Sequence, residues 1–195
     1  MERSSWDRIV SAAGAVVAVV LIVLGAAAIY GGWFGRDNVR DRLEPQNIAF
    51  PPAAAMTPEE RAEVGDFAGQ TVDTGVEAEA FSRYIGGHLE GINDGKTYSE
   101  TSAAAREEGL DPEVAAELQG KADSLFKGET LRSILLNAYG WWTVATITLW
   151  AGAAAVVGGV VLGILAILGF RHARRVSPTY VEQTNATPDY VQVAG

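Results

Sequence analysis

The sequence has no cysteine, two histidines, two methionines and seven prolines in 195 residues. Lack of cysteine excludes a disulfide framework, a thiolate metal site and a cysteine nucleophile, and leaves the redox compartment open. Two histidines provision metal chemistry poorly. Charge is also missing over two long stretches: no Asp, Glu, Lys or Arg occurs from Ile9 to Gly35 or from Ser133 to Phe170. Each run exceeds the roughly 20 apolar residues that a membrane-spanning helix requires. With no charged side chain inside them, both runs argue against a proton relay, an ion pathway or a voltage sensor. With no histidine, neither can ligate haem through this chain alone.

What is present is a hydrophobic fraction of 48% concentrated in those two runs, and a formal charge of −9 concentrated between them. The expected class is all-α, with two transmembrane helices forming a hairpin and a small extracytoplasmic helical domain between them. The expected divisions are an N-terminus at 1–8, a first transmembrane helix at 9–35 and an acidic helical domain at 36–132. An interfacial extension with the second transmembrane helix follows at 133–170, then a basic flank and disordered tail at 171–195. Tyr30 and Trp33 close the first span, and Tyr139, Trp141 and Trp142 form a belt at the entry to the second, as aromatic rings prefer the water–lipid interface. Continuation of the second helix outward would carry Leu131, Ile134, Leu135 and Ala138 as a packing stripe. Arg171, Arg174 and Arg175 abut the second span, and a long loop crosses largely regardless of charge, so both termini are expected in the cytoplasm of a multi-pass plasma-membrane protein. Ala26-Ala27-Ala28 resembles a signal-peptidase site, but the apolar run is long for a secretory signal and its flank is neutral, favouring an uncleaved helix.

Residues 36–132 hold 10 basic and 20 acidic side chains, a poor surface for nucleic acid. Three Thr-x-x-Glu capping boxes start at Thr57, Thr74 and Thr97, and Asp111-Pro112-Glu113 makes a fourth helix start. Gly69, Asn93-Asp94-Gly95, Gly109 and Gly128 are the matching stops. Four short helices are expected, entered by a Pro-containing stem from Glu44 to Pro58. Phe81, Tyr84, Ile85, His88, Leu89 and Ile92 form an apolar stripe on the second, Val114, Leu118, Ala122, Leu125 and Phe126 one on the last, and Val64 and Phe67 a shorter one on the first.

The search for chemistry returns little. In the expected topology His88 and His172 fall on opposite sides of the membrane, and Glu90 and Asp94 do not share the His88 helix face. A calcium loop aligned on Gly95 puts Ile92 and Thr101 where ligands are needed. Phe126-Lys127-Gly128-Glu129-Thr130 lacks the order of a phosphate loop. No catalytic residue, metal or cofactor is expected. In the tail, Thr187-Pro188-Asp189-Tyr190 is a conceivable docking segment and Asn185-Ala186-Thr187 matches the glycosylation pattern, unused in a cytoplasmic tail. Within the second span, Ala151, Ala155, Gly159 and Gly163 form a small-residue row at four-residue spacing that lets helix backbones approach. Its partner would be the first helix, with Gly14, Ala18 and Gly25, a second copy, or a foreign membrane protein.

The stretches Gly69 to Gly75, Ala78 to Phe81, His88-Leu89, Asp94 to Glu100, Phe126 to Arg132 and Leu136 to Tyr139 resemble a family of actinobacterial two-span membrane proteins of unknown function. Members often carry the name aromatic ring-opening dioxygenase. That name implies a non-haem iron held by a cluster such as two histidines and a carboxylate, which this sequence cannot supply. The resemblance therefore implies architecture and bacterial lineage, and the expected function is a non-enzymatic accessory or scaffold subunit of a larger membrane assembly. The alternative is a membrane sensor or signalling anchor with a ligand-binding outer domain. The expected partners are the lipid bilayer and either a membrane protein or a second copy.

Overall fold

A computed structural model describes residues 3–175, so the expectations for the tail fall outside the described residues. Within them the chain is helical: α1 (Arg3–Leu43), α2 (Pro58–Val64), α3 (Gly75–Glu90), α4 (Tyr98–Ala104) and α5 (Pro112–Arg175). Three 3-10 turns and one isolated antiparallel bridge, Ala49 to Thr71, complete the secondary structure among the described residues. The all-α class follows from long Ala/Val/Leu runs with proline confined to helix starts and connectors.

α1 and α5 are both long and apolar enough to cross a membrane, and only 11% of the most apolar stretch of each is buried. A core helix of a soluble protein would bury most of that stretch. α1 does not stop at Gly35, where its charge-free run ends. It continues to Leu43 because Val39 and Leu43, one turn apart, are buried, and it ends where Pro45 disfavours helical geometry in the residue before it.

Two compact units emerge. The first is built on residues 3–29 and 151–175. There the two helices pack antiparallel: Gly14 lies near Ala166, Ala18 near Gly163 and Gly159, and Gly25 near Gly152.

The second unit comprises residues 30–150. Its core joins Phe50, Met56, Val64, Val72, Ala78 and Ala80 to Val39 and Leu43 of α1 and Leu135 and Trp142 of α5. The acidic segment 36–132 is thus not a self-contained domain of four short helices. Its helices are too short to enclose a core, so they close over faces lent by the two long ones.

The expected fourth short helix is the start of α5, and Gly128 does not end it. A Cβ at Gly128 would collide with the Leu89 side chain, so this glycine marks a close helix crossing within a continuous helix. The other punctuation acts locally. Gly69, Gly95 and Gly109 have positive φ, and the boxes at Thr57 and Thr97 close reciprocally. Thr57 N donates to Glu60 Oε2 at 2.8 Å and Glu60 N to Thr57 Oγ1 at 3.2 Å; Thr97 N donates to Glu100 Oε2 at 2.8 Å. Glu77 accepts from Thr74 N and Oγ1, both at 2.7 Å. The Pro-containing stem is more than a connector. It pairs with the segment before α3 through Phe50 N to Gln70 O at 2.9 Å and Val72 N to Ile48 O at 2.8 Å, which sets Phe50 against Phe67, Phe81 and Tyr84.

Candidate functional site

The small-residue row is where the sequence offered its most specific membrane signal. Gly159 faces α1, where a Cβ would come within 2.9 Å of Ala18 O and 2.8 Å of Ile22 Cγ1, and one on Gly163 would stand 3.7 Å from Ala18 Cβ. Ala155 is half-buried, whereas Ala151 is exposed. Ala151 therefore lies off the face that meets α1, and Gly152 makes that contact: a Cβ there would lie 2.6 Å from Gly25 O, and one on Gly25 2.7 Å from Gly152 O. The reason is rotational. At 3.6 residues per turn a four-residue step drifts about 40°, so a row of such steps leaves the contact face, whereas a seven-residue step drifts only about 20°.

The seven-residue period is visible in the buried positions. Ser11, Ala18, Gly25, Gly32 and Val39 are buried along α1, and Ala145, Gly152, Gly159, Ala166 and Ala173 along α5. In the second unit, a Cβ on Gly32 would lie 2.6 Å from Ala145 O and 2.7 Å from Leu149 N. Sequence reasoning missed Gly152, Gly32, Ala145 and Ala166 because it counted in fours. Counting in sevens finds them.

The aromatic set divides. Tyr30, Trp33 and Trp141 are exposed, as are Trp6 and Trp150, and Tyr139 is exposed to 38%. Trp142 differs from the rest: the residue is 7% exposed and belongs to the core of the second unit. α3 begins against it: a Cβ on Gly75 would enter the indole. The Arg36 guanidinium lies 4.4 Å from the ring centroid, a cation–π contact. Trp142 follows Leu135 by seven residues and so stays on the packed side, while Trp141, rotated by about 100°, points away.

Several polar groups of the second unit are engaged with one another. His88 Nε2 is 3.3 Å from Glu60 Oε1 and its Nδ1 is 3.0 Å from Tyr84 O. Burial, reinforced by the Glu60 carboxylate, raises the Tyr84 phenol above its ordinary range. Bonds from the Thr97 backbone and hydroxyl hold the Glu100 carboxyl below the usual range. The Glu117–Lys121 pair, at 2.8 Å, lowers the acid and raises the base. Asn93 and Thr101 bond to each other while buried, at 2.8 Å. Among the described residues no group of three His, Asp or Glu side chains could hold a metal ion.

One cavity of about 1270 Å³ opens in the second unit between the α1 and α5 segments. Phe34, Ile85, Leu131, Ile134, Trp141 and Val144 are among its apolar walls, and Asn38, Arg42 and Gln46 are among its polar ones. The expected stripe on α5 splits over it: Leu135 is buried and Ala138 half-buried, while Leu131 and Ile134 line the opening and remain exposed. No protein-family model, curated protein or solved structure matches the chain.

Proposed function

We propose that the chain is a non-enzymatic plasma-membrane protein, an accessory or scaffold subunit of a larger bacterial membrane assembly. α1 and α5 cross the bilayer, the acidic segment between them lies on the outer face and both termini lie in the cytoplasm. The observation that carries this reading is the outward apolar surface of α1 and α5. Val16, Val23, Leu24, Ile147, Trp150 and Val157 are all about half exposed or more, and only lipid or another apolar helix can cover such a surface. Gly159 is occupied between the chain's own helices, so a partner would use these bulkier outer faces.

Isolation of the tagged full chain from its native membrane in mild detergent, with mass spectrometry of stoichiometric companions, tests the proposal. A defined set of companion proteins is the expected result. Recovery of the chain alone would sink the accessory reading.

A second reading is a sensor or signalling anchor, favoured by the unbroken course of α5 from Pro112 to Arg175. Under it, deletion of residues 176–195 abolishes the phenotype of the intact chain; under the first, assembly survives the deletion.

A further inference from the structure

The cleft in the second unit lies where the charge-free runs give way to the acidic segment. One end of its lining, Gly31 and Thr148, belongs to those runs; the other, Arg42, Gln46 and Leu131, lies beyond them. From Gly31 to Arg42 it extends about 16 Å along the α1 axis. Leu131, Ile134, Trp141 and Val144 are each more than half exposed along it, so the wall is a contiguous apolar surface of the kind that marks a binding groove.

Its polar end is distinguished by charge. Arg40 lies 3.9 Å from Asp73, Arg83 2.9 Å from Glu79 and Arg132 2.8 Å from Glu129. Arg36, Arg61 and Arg106 are engaged by the Trp142 ring, by the Ala53 and Met56 carbonyls and by Ser102, whereas Arg42, the arginine that lines the cleft, has no carboxylate partner among the described residues. Its Nε donates to Asn38 Oδ1 at 2.9 Å, which leaves the rest of a planar donor fork at the end of the cleft that Asn38 and Gln46 also line. Such a fork recognises a phosphate-type anion.

We propose that the cleft holds an anionic phospholipid of the bilayer, its hydrocarbon chain along the apolar wall and its phosphate at Arg42. This rests on the membrane reading above. An amphiphile satisfies both ends of the cleft at once, whereas an apolar partner helix would bury the Arg42 guanidinium without an anion, a costly arrangement.

The test uses the full chain in nanodiscs containing equal phosphatidylglycerol and phosphatidylcholine, with retained lipid counted by native mass spectrometry. Preferential retention of phosphatidylglycerol is expected. Arg42→Gln should reduce that retention about tenfold, the size of one lost charge-assisted contact. Ile134→Trp, at an exposed wall position, should abolish retention of both lipids.

Carbonate extraction of membranes carrying the same variants reports insertion separately. A chain that is extracted overturns the membrane reading and the lipid proposal together. A chain that stays inserted but retains no lipid, or retains both lipids equally with and without Arg42, overturns the lipid proposal alone. Loss of a homodimer on Ile134→Trp, with no lipid retained by the unaltered chain, would assign the cleft to a second copy and likewise overturn it.

Discussion

Each of the two units is held together internally by a different balance of contacts. In the first, residues 3–29 and 151–175, helices meet through Ala18, Gly25, Gly152 and Gly159, where any added Cβ at the glycines would strike a backbone atom. In the second, residues 30–150, one close backbone approach persists at Gly32 against Ala145 and Leu149, but the core is made of large side chains such as Phe50, Phe81, Tyr84, Leu135 and Trp142. Burial of large apolar side chains is favourable only when the alternative is water. Between helices in lipid that gain vanishes, and association depends on how closely backbones approach. The small-residue contacts of the first unit are those expected of helices that pack in lipid, as the proposed membrane reading requires.

The strongest way to break the contrast is to remove the large anchor. Trp142→Ala should cost about 4 kcal/mol, measured by denaturant unfolding in detergent micelles followed by circular dichroism. Trp141→Ala, at the neighbouring exposed position, should stay within about 0.5 kcal/mol. Equal effects would remove Trp142 from its anchoring role.

Next in size is the insertion of bulk into the first unit. Gly152→Leu should cost about 3 kcal/mol by forcing the backbones apart. Gly158→Leu should be nearly neutral, because nothing lies within 4 Å of a Cβ built there. If the two glycines respond alike, the seven-residue seam is not what joins the helices.

Smaller effects sharpen the second unit. Thr57→Ala removes one capping acceptor from α2 and should cost about 1 kcal/mol, visible as faster amide exchange at Glu60. The pH dependence at α4 has a definite sign. The Glu100 carboxyl titrates lower in the folded chain than when unfolded, so its contribution is fully present above the ordinary carboxylate range. It is lost as pH falls through the lowered folded value. Protection of the α4 amides should therefore weaken on acidification below about pH 5, and Thr97→Ala should flatten that dependence. Unchanged acid sensitivity in the variant would remove the cap as its source.

Much of this organisation is legible in residues close together in the chain. The apolar runs announce two long helices, and the capping boxes at Thr57, Thr74 and Thr97 announce three short ones. The candidate seam was half legible. Gly159 and Gly163 stand out as small residues, but the four-residue frame that picked them also picked Ala151, whose neighbour Gly152 makes the contact. The cleft was not legible at all. Leu131 and Ile134 look like ordinary members of a packing stripe until α1 and α3 are placed beside them.

What the sequence by itself determined is therefore everything that depends on near neighbours: helix identity, caps, turns at Gly69, Gly95 and Gly109, and the segregation of apolar from acidic residues. Tertiary structure alone decided which of two adjacent tryptophans is buried, that Gly128 receives Leu89 instead of ending a helix, and that the acidic segment completes its core with Val39, Leu43, Leu135 and Trp142. These depend on the rotational phase of one helix against another. That phase is set by contacts between residues far apart in the chain, and a pattern read along one helix leaves it open.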